Sequence, residues 1–105
     1  MERPGAQPTG ISAAHVLHGV ATYYGTGGPG MYAAMAGYID GTHVQVEVCA
    51  FPAGQATCVT VPVVTQCSAC RWRAGAVLVD LSIPAFLALG SPLSRGIVAV
   101  TVEIL

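Results

Sequence analysis

Short runs in which apolar and polar residues alternate recur along the chain. Residues 42–50 place a valine at every second position from 44 onwards, and residues 57–65 carry a matching set of valines after a turn. Residues 96–105 alternate again, and residues 18–24 are rich in β-branched and aromatic side chains. A period of two residues is typical of half-buried strands, so these four segments predict four β-strands.

The segment that follows residue 75 has a different pattern. Residues 76–79 are continuously apolar, which is typical of a strand buried on both faces. Ser82, with Pro84 in the first turn after it, indicates the start of a short helix over 83–89 that Gly90 ends.

These elements amount to about five strands and one helix in a chain of 105 residues. Residues 31–36 predict a helical turn at most. Short strands joined by turns at this chain length favour a small closed barrel over a sandwich. Residues 1–13 are rich in proline, glycine and serine and predict a flexible lead-in to a single domain over 14–105.

The composition limits the classes of partner that the protein is expected to bind. Only 9% of the residues are charged, lysine is absent and the net charge is -1, so nothing in the charge favours nucleic acid or an anionic membrane surface. A membrane-spanning helix needs about 20 consecutive apolar residues, and the apolar runs are far shorter. A surface with so few charges favours an uncharged partner such as a glycan, or self-association.

The four cysteines indicate an exported protein. Cys49 and Cys58 flank a predicted turn and are expected to lie opposite each other on paired strands, close enough to bridge. Cys67 and Cys70 form a CxxC motif, which can be a tight disulfide, a redox pair or part of a zinc site. Structural disulfides are the favoured interpretation, with zinc and redox chemistry as alternatives. The residues after Met1 lack the apolar core of a signal peptide, so we expect a secreted or cell-envelope protein whose leader is absent from this sequence.

Three motifs occur in one order along the chain: GVATYYG at 19–25, GTHVQV at 41–46, and VDLS at 79–82 followed by AF at 85–86. Together they resemble the domains of the rare-lipoprotein-A and expansin family, and the resemblance covers most of the chain from Gly19. It implies an all-β fold, a six-stranded double-psi β-barrel with one or two short helices and a groove across one face. The implied ligand is a cell-wall glycan.

Asp80, the acid of the DLS motif, is the candidate catalytic residue. In the family this acid is linked to lytic cleavage of peptidoglycan and to wall loosening, and Thr22 matches a polar position of the groove. From the residues alone, a carboxyl group beside aliphatic neighbours is partly desolvated, and desolvation raises its pKa and favours proton donation. The alternative interpretation is that Asp80 caps the helix that starts near Ser82.

Three departures from the family pattern leave catalysis undecided. Gly25 stands where related endoglucanases carry a second aspartate, and Met35 stands where lytic members carry a histidine. Gln66 stands where expansin-like members carry another aspartate; it can hydrogen-bond a sugar but cannot exchange a proton. One acid without a partner is compatible with binding alone or with weak lytic transglycosylase activity. No cofactor and no metal ion are expected.

Two aromatic residues complete the predicted binding set. Tyr24 is expected to line the groove, and Trp72, between Arg71 and Arg73, offers an apolar ring to a sugar or instead covers the CxxC bridge. The leading hypothesis is therefore a glycan-binding barrel. The alternative is a disulfide-stabilised protein-binding module, such as a protease inhibitor, that uses the Arg71–Trp72–Arg73 segment.

Overall fold

A computed structural model describes residues 16–25, 28–38, 41, 43–52 and 54–105. Within them, six strands form a closed barrel, with one helix and one 3-10 turn before the last strand. The elements in chain order are β1 (Val16–Tyr24), β2 (Ala33–Met35), β3 (Gln45–Ala50), β4 (Thr57–Gln66), β5 (Val77–Ser82), α1 (Ile83–Ala88), the 3-10 turn (Leu93–Arg95) and β6 (Val98–Ile104). The predicted all-β barrel with one or two short helices is confirmed. The predicted lead-in at 1–13 lies outside the described residues.

The order of strands around the barrel is β1, β5, β2, β4, β3 and β6. The β1–β5 and β2–β4 pairs are parallel, and the other four pairs are antiparallel. Exchanging β1 with β4, β2 with β5 and β3 with β6 converts every pairing into another of the same direction. The barrel therefore has the internal two-fold topology of the predicted double-psi arrangement, and closure leaves none of the six strands with an unpaired edge.

The barrel interior is filled mainly by small and β-branched side chains, and α1 supplies the largest one. Phe86 is fully buried and packs edge-to-face on Tyr23, with 4.9 Å between the ring centroids. Burying an aromatic side chain of this size contributes about 2–3 kcal/mol of hydrophobic stabilisation. The predicted helix is confirmed, and its Phe86 side chain packs it on the barrel. Gly90, with a φ of 88°, follows the helix in the left-handed region.

Gly19 allows β1 to approach β5 closely. A Cβ atom at this position would lie 2.5 Å from the carbonyl oxygen of Ala76 and 2.7 Å from the Cγ of Leu78. No side chain fits there, so the close packing of β1 on β5 requires the first glycine of the GVATYYG motif.

The expectation of a helical turn at residues 31–36 is wrong, because Ala33–Met35 forms β2. All three residues of β2 are buried, and the strand pairs with β4 on one side and β5 on the other. A three-residue strand with no solvated face shows no alternation. Its alanines favour helix intrinsically, and pairing on both edges overrides that preference.

Both disulfides are present. Cys49 and Cys58 face each other in the β3–β4 register, with Cα atoms 4.0 Å apart, and Cys67 bonds Cys70 across the loop that follows β4. Glu47 lies near the first bridge, but disulfide sulfurs are not the thiolates that a zinc site requires. The prediction of structural disulfides is confirmed.

Within the described part of the chain, no helix has both the length and the apolar character needed to cross a bilayer.

Candidate functional site

Asp80 lies in the middle of β5 and points to the outside of the barrel. Its register partners are Thr22 on β1 and Ala34 on β2, and Ala34 in turn pairs with Thr65 on β4. Residues opposite each other in a sheet present their side chains on the same face. Thr22, Asp80, Ala34 and Thr65 thus form one row across four strands, here called the Asp80 row.

The Asp80 carboxyl group accepts a hydrogen bond from the Thr22 hydroxyl, with 2.9 Å between Oγ1 and Oδ1. Its side chain is partly buried, whereas its chain neighbours Val79 and Leu81 are completely buried in the barrel core. Burial raises the pKa of Asp80 above 3.8, and the hydrogen bond from Thr22 acts in the opposite direction. Asp80 is therefore a carboxyl group that keeps its proton to a higher pH than an exposed aspartate.

Asp80 does not cap the helix. The residue that precedes α1 is Ser82, and the first turn of α1 contains no acidic residue. The helix-cap interpretation of Asp80 is wrong because β5 continues through Asp80 to Ser82, which keeps the carboxyl group on the strand.

Two tyrosines stand beside the Asp80 row. Tyr24 and Tyr32 pack edge-to-face, with 5.9 Å between the ring centroids. The Tyr24 hydroxyl is buried without a hydrogen-bond partner among the described residues. Burial, and then the nearby Tyr32 and Asp80, raise the pKa of Tyr24 above 10.0, so the phenol stays protonated.

Hydrogen bonds with Ser82 and close packing on Gly30 hold Tyr32 in place. The Tyr32 amide donates to the Ser82 hydroxyl oxygen at 3.0 Å, and the Ser82 amide donates to the Tyr32 carbonyl at 2.8 Å. A Cβ atom on Gly30 would lie 2.9 Å from the Tyr32 ring, so glycine is required there for the ring to fit. Ser82, the last residue of the VDLS motif, thus positions the aromatic pair.

The CxxC loop also borders the row, on the side where Tyr24 lies. Cys67, Cys70 and Ala34 form a small buried cluster against which Tyr24 packs. The Arg71 guanidinium donates to the carbonyl oxygens of Ser68 and Cys70, at 2.8 and 2.7 Å. The bridge and this arginine together stabilise the conformation of the loop.

The structure brings Thr22, Tyr24 and Asp80 together but gives Gln66 and Trp72 other surroundings. Gln66 is exposed and pairs with Met35, whose side chain belongs to the barrel core. Trp72 is half-buried and packs against the main core, not the cluster that contains Tyr24.

Thr65 was missed by sequence reasoning. Val59, Val61 and Val63 are buried, so an unbroken period of two would turn Thr65 inwards and Gln66 outwards. The register shifts between Ala33 and Ala34, and Val64 is left as an extra residue in β4. This bulge places Thr65 in the row. The sequence pattern carries no signal for it.

The Asp80 row is a surface site. Three cavities among the described residues are lined by side chains outside the row. The other described acidic side chains, Glu47 and Glu103, lie opposite each other in the register of β3 and β6. Among the described residues, Asp80 therefore has no second acid beside it. The row offers one protonatable carboxyl, two hydroxyls and an aromatic pair.

The chain matches no protein-family model and no curated protein.

Proposed function

We propose that this protein binds a cell-wall polysaccharide, such as peptidoglycan or a cellulose-like glycan, through the Asp80 row. The observation that carries the proposal is the position of Asp80: half-buried, held by one hydroxyl, and facing outwards beside Thr22 and Tyr24. Sugars present hydroxyls that donate and accept hydrogen bonds, and C–H faces that pack on aromatic rings. The resemblance of the VDLS segment to the family motif points to the same residue.

A secreted or cell-envelope location is part of the proposal. Two disulfides in a domain of 105 residues are typical of oxidising compartments.

Binding is the primary activity in this proposal, and cleavage is secondary. Glycoside hydrolysis usually needs two carboxyl groups that flank the bond, and Asp80 stands without a second acid among the described residues. Asp80 is protonated to a higher pH than usual, which suits donation of its proton to the leaving glycosidic oxygen, while a hydroxyl of the same sugar attacks the anomeric carbon and returns its own proton to the Asp80 carboxylate. Such a single-acid reaction releases an anhydro-sugar.

Co-sedimentation with purified peptidoglycan and with microcrystalline cellulose tests the binding. We expect the wild type to sediment with one of the two, and Asp80→Asn and Thr65→Val to weaken binding by roughly fivefold to tenfold, the loss expected for one or two polar contacts. Thr60→Val is the matched control, because Thr60 is an exposed threonine of β4 that lies outside the row. Equal binding by the Thr65 and Thr60 variants would remove Thr65 from the site.

A panel of secreted proteases in the same assay tests the alternative function. Inhibition that is lost in Trp72→Ala, with no retention on either glycan, would replace the proposal by a protein-binding role. Mass spectrometry of the glycan supernatant tests cleavage. Anhydro-sugar ends that the wild type produces and Asp80→Asn does not would assign Asp80 as the acid.

A further inference from the structure

A cavity that is separate from the Asp80 row and the CxxC loop opens on the outer surface of β1 and β6. Its volume is about 580 Å³, and its floor is formed by Val20 and Ala99, which pair in the β1–β6 register. We call it the Arg95 cleft and define it by the side chains that form its two walls and its rim: Phe51, Pro52, Pro92, Arg95 and Ile97. A volume of this size is within the range of small-molecule sites, about 300–1,000 Å³.

The walls of the Arg95 cleft are built from fixed parts of the fold. The turn that carries Phe51 and Pro52 starts directly after β3, next to the Cys49–Cys58 bridge. A Cβ atom on Gly90 would lie 3.1 Å from the Pro52 ring, so that turn packs tightly on the segment after α1.

The opposite wall is fastened to the core. The Tyr23 hydroxyl donates to the Leu93 carbonyl at 2.9 Å, and the Arg95 amide donates to the Pro92 carbonyl at 3.1 Å. The 3-10 turn that carries Arg95 is thereby held against the barrel. A cleft with two fastened walls is preformed, which lowers the entropic cost of binding.

The chemistry of the cleft combines exposed apolar surface with one cation. Phe51 is 54% exposed and Ile97 is 47% exposed, although both are large apolar residues. Among the described residues that line the cleft, Arg95 is the one that carries a charge, and it forms no ion pair with any of the described carboxylates. A guanidinium group binds a carboxylate through two parallel hydrogen bonds, and the apolar walls accept a hydrocarbon body.

From this complementarity we infer that the Arg95 cleft binds a small apolar carboxylate, with the acid group on Arg95 and the hydrocarbon between Phe51 and Ile97. This site is separate from the Asp80 row and requires no glycan. The two sites differ in charge: the Asp80 row carries a carboxyl group that disfavours anions, whereas the described lining of the cleft includes a cation and no acid.

A titration followed by two-dimensional amide NMR tests this site, with hydrocinnamate as the probe and hydrocinnamide as its uncharged counterpart. We expect saturable shifts at the amides of Phe51 and of the non-proline residues within 90–99, with a dissociation constant in the low millimolar range typical of so small a probe. The amide should bind about tenfold more weakly, since it lacks the charge that Arg95 recognises. Equal affinity for acid and amide would overturn the carboxylate assignment.

Arg95→Gln should weaken hydrocinnamate binding about tenfold, and Phe51→Ala should weaken the acid and the amide alike. Arg73→Gln is the matched control, because Arg73 is also an exposed arginine but does not line the cleft. A loss of affinity as large in Arg73→Gln as in Arg95→Gln would show non-specific charge attraction and refute the site. Asp80→Asn should leave probe binding unchanged, which separates failure here from failure of glycan binding.

Discussion

At the scale of single residues, the Thr22–Asp80 pair decides what the candidate site can do. One hydroxyl donates to a carboxyl group that burial pushes towards its neutral form. The two influences on the pKa oppose each other, and desolvation is the larger. A sugar that displaces water from the row would increase that desolvation and favour the protonated acid further.

The opposing influences on Asp80 can be separated by substitution. The carboxyl group should titrate above 3.8 in the wild type, and Thr22→Val should raise the pKa further because it removes the hydrogen bond that stabilises the charged form. Carboxyl-carbon NMR over the acidic range measures both midpoints. A lower midpoint in Thr22→Val would show that Thr22 does not donate to the ionised acid.

The same shift predicts a pH dependence of stability. Because the folded protein binds the Asp80 proton more tightly than the unfolded chain, the contribution of Asp80 to stability is complete below the unfolded pKa near 3.8. It is lost as the pH rises through the higher folded pKa. Relative to Asp80→Asn, which cannot titrate, the wild type should therefore become less stable between these two values. Denaturant unfolding at a series of pH values measures the difference, and parallel curves for the two proteins would contradict it.

The buried hydroxyl of Tyr24 gives a second prediction at this scale. It has no hydrogen-bond partner among the described residues, so removing it relieves a desolvated polar group. Tyr24→Phe should leave the free energy of unfolding unchanged or raise it by up to about 1 kcal/mol. Tyr23→Phe is the contrast, because it removes the hydrogen bond to Leu93 and should cost about 1 kcal/mol. Denaturant unfolding measures both, and a loss in Tyr24→Phe as large as in Tyr23→Phe would reveal a partner for Tyr24.

At the scale of elements, the site depends on how closely β1, β5 and β2 approach one another. β1 meets β5 at Gly19, where a Cβ atom would overlap the Ala76 carbonyl. β2 contributes Ala34, which lies between Asp80 and Thr65 in the row. Its small side chain leaves the row shallow at this position. Glycine and alanine at these points let four strands form one continuous face.

Gly19→Ala should therefore destabilise the protein by about 3 kcal/mol, the upper part of the range for overpacking. The closest atom belongs to the backbone, which cannot rotate away. Gly28→Ala is the control, since a Cβ atom there meets nothing within 4 Å. Thermal unfolding of the two variants measures the effect, and similar melting temperatures would show that β1 and β5 can move apart without cost.

The elements were predicted unequally well from the pattern. β1, β3, β4 and β6 have one buried and one solvated face, so alternation marks them, although their ends differ from expectation by up to three residues. Residue 42, the expected start of the second strand, lies outside the described residues. The pattern missed β2 because a strand buried on both faces and only three residues long has no period.

At the scale of the whole molecule, the low charge and the closed barrel act together. The barrel leaves no free strand edge among its six strands, and only 9% of the residues of the chain are charged. The four residues of the Asp80 row include one acidic side chain and no basic one. A ligand recognised there is held by short-range hydrogen bonds and ring contacts, which salt screens little.

Retention on the glycan should accordingly change by less than about twofold between low salt and about 1 M, where charges are screened beyond about 3 Å. Hydrocinnamate binding to the Arg95 cleft should weaken over the same range. Co-sedimentation and NMR titration in parallel salt series make this comparison. Glycan binding that falls steeply with salt would point to ionic attraction and would contradict recognition by the Asp80 row.

Asp80 was chosen because the VDLS segment resembles a family motif, and its role stays a prediction. The amino-acid sequence by itself determined the all-β class, the short helix after residue 82 and the disulfide between opposed cysteines. These follow from local patterns, because alternation, turn residues and cysteine spacing act between near neighbours in the chain. Only the tertiary structure decided that Thr65 and not Gln66 joins Asp80, and that Trp72 packs on the core. Strand pairing and one bulge between residues distant in sequence set those positions, and no local pattern records them.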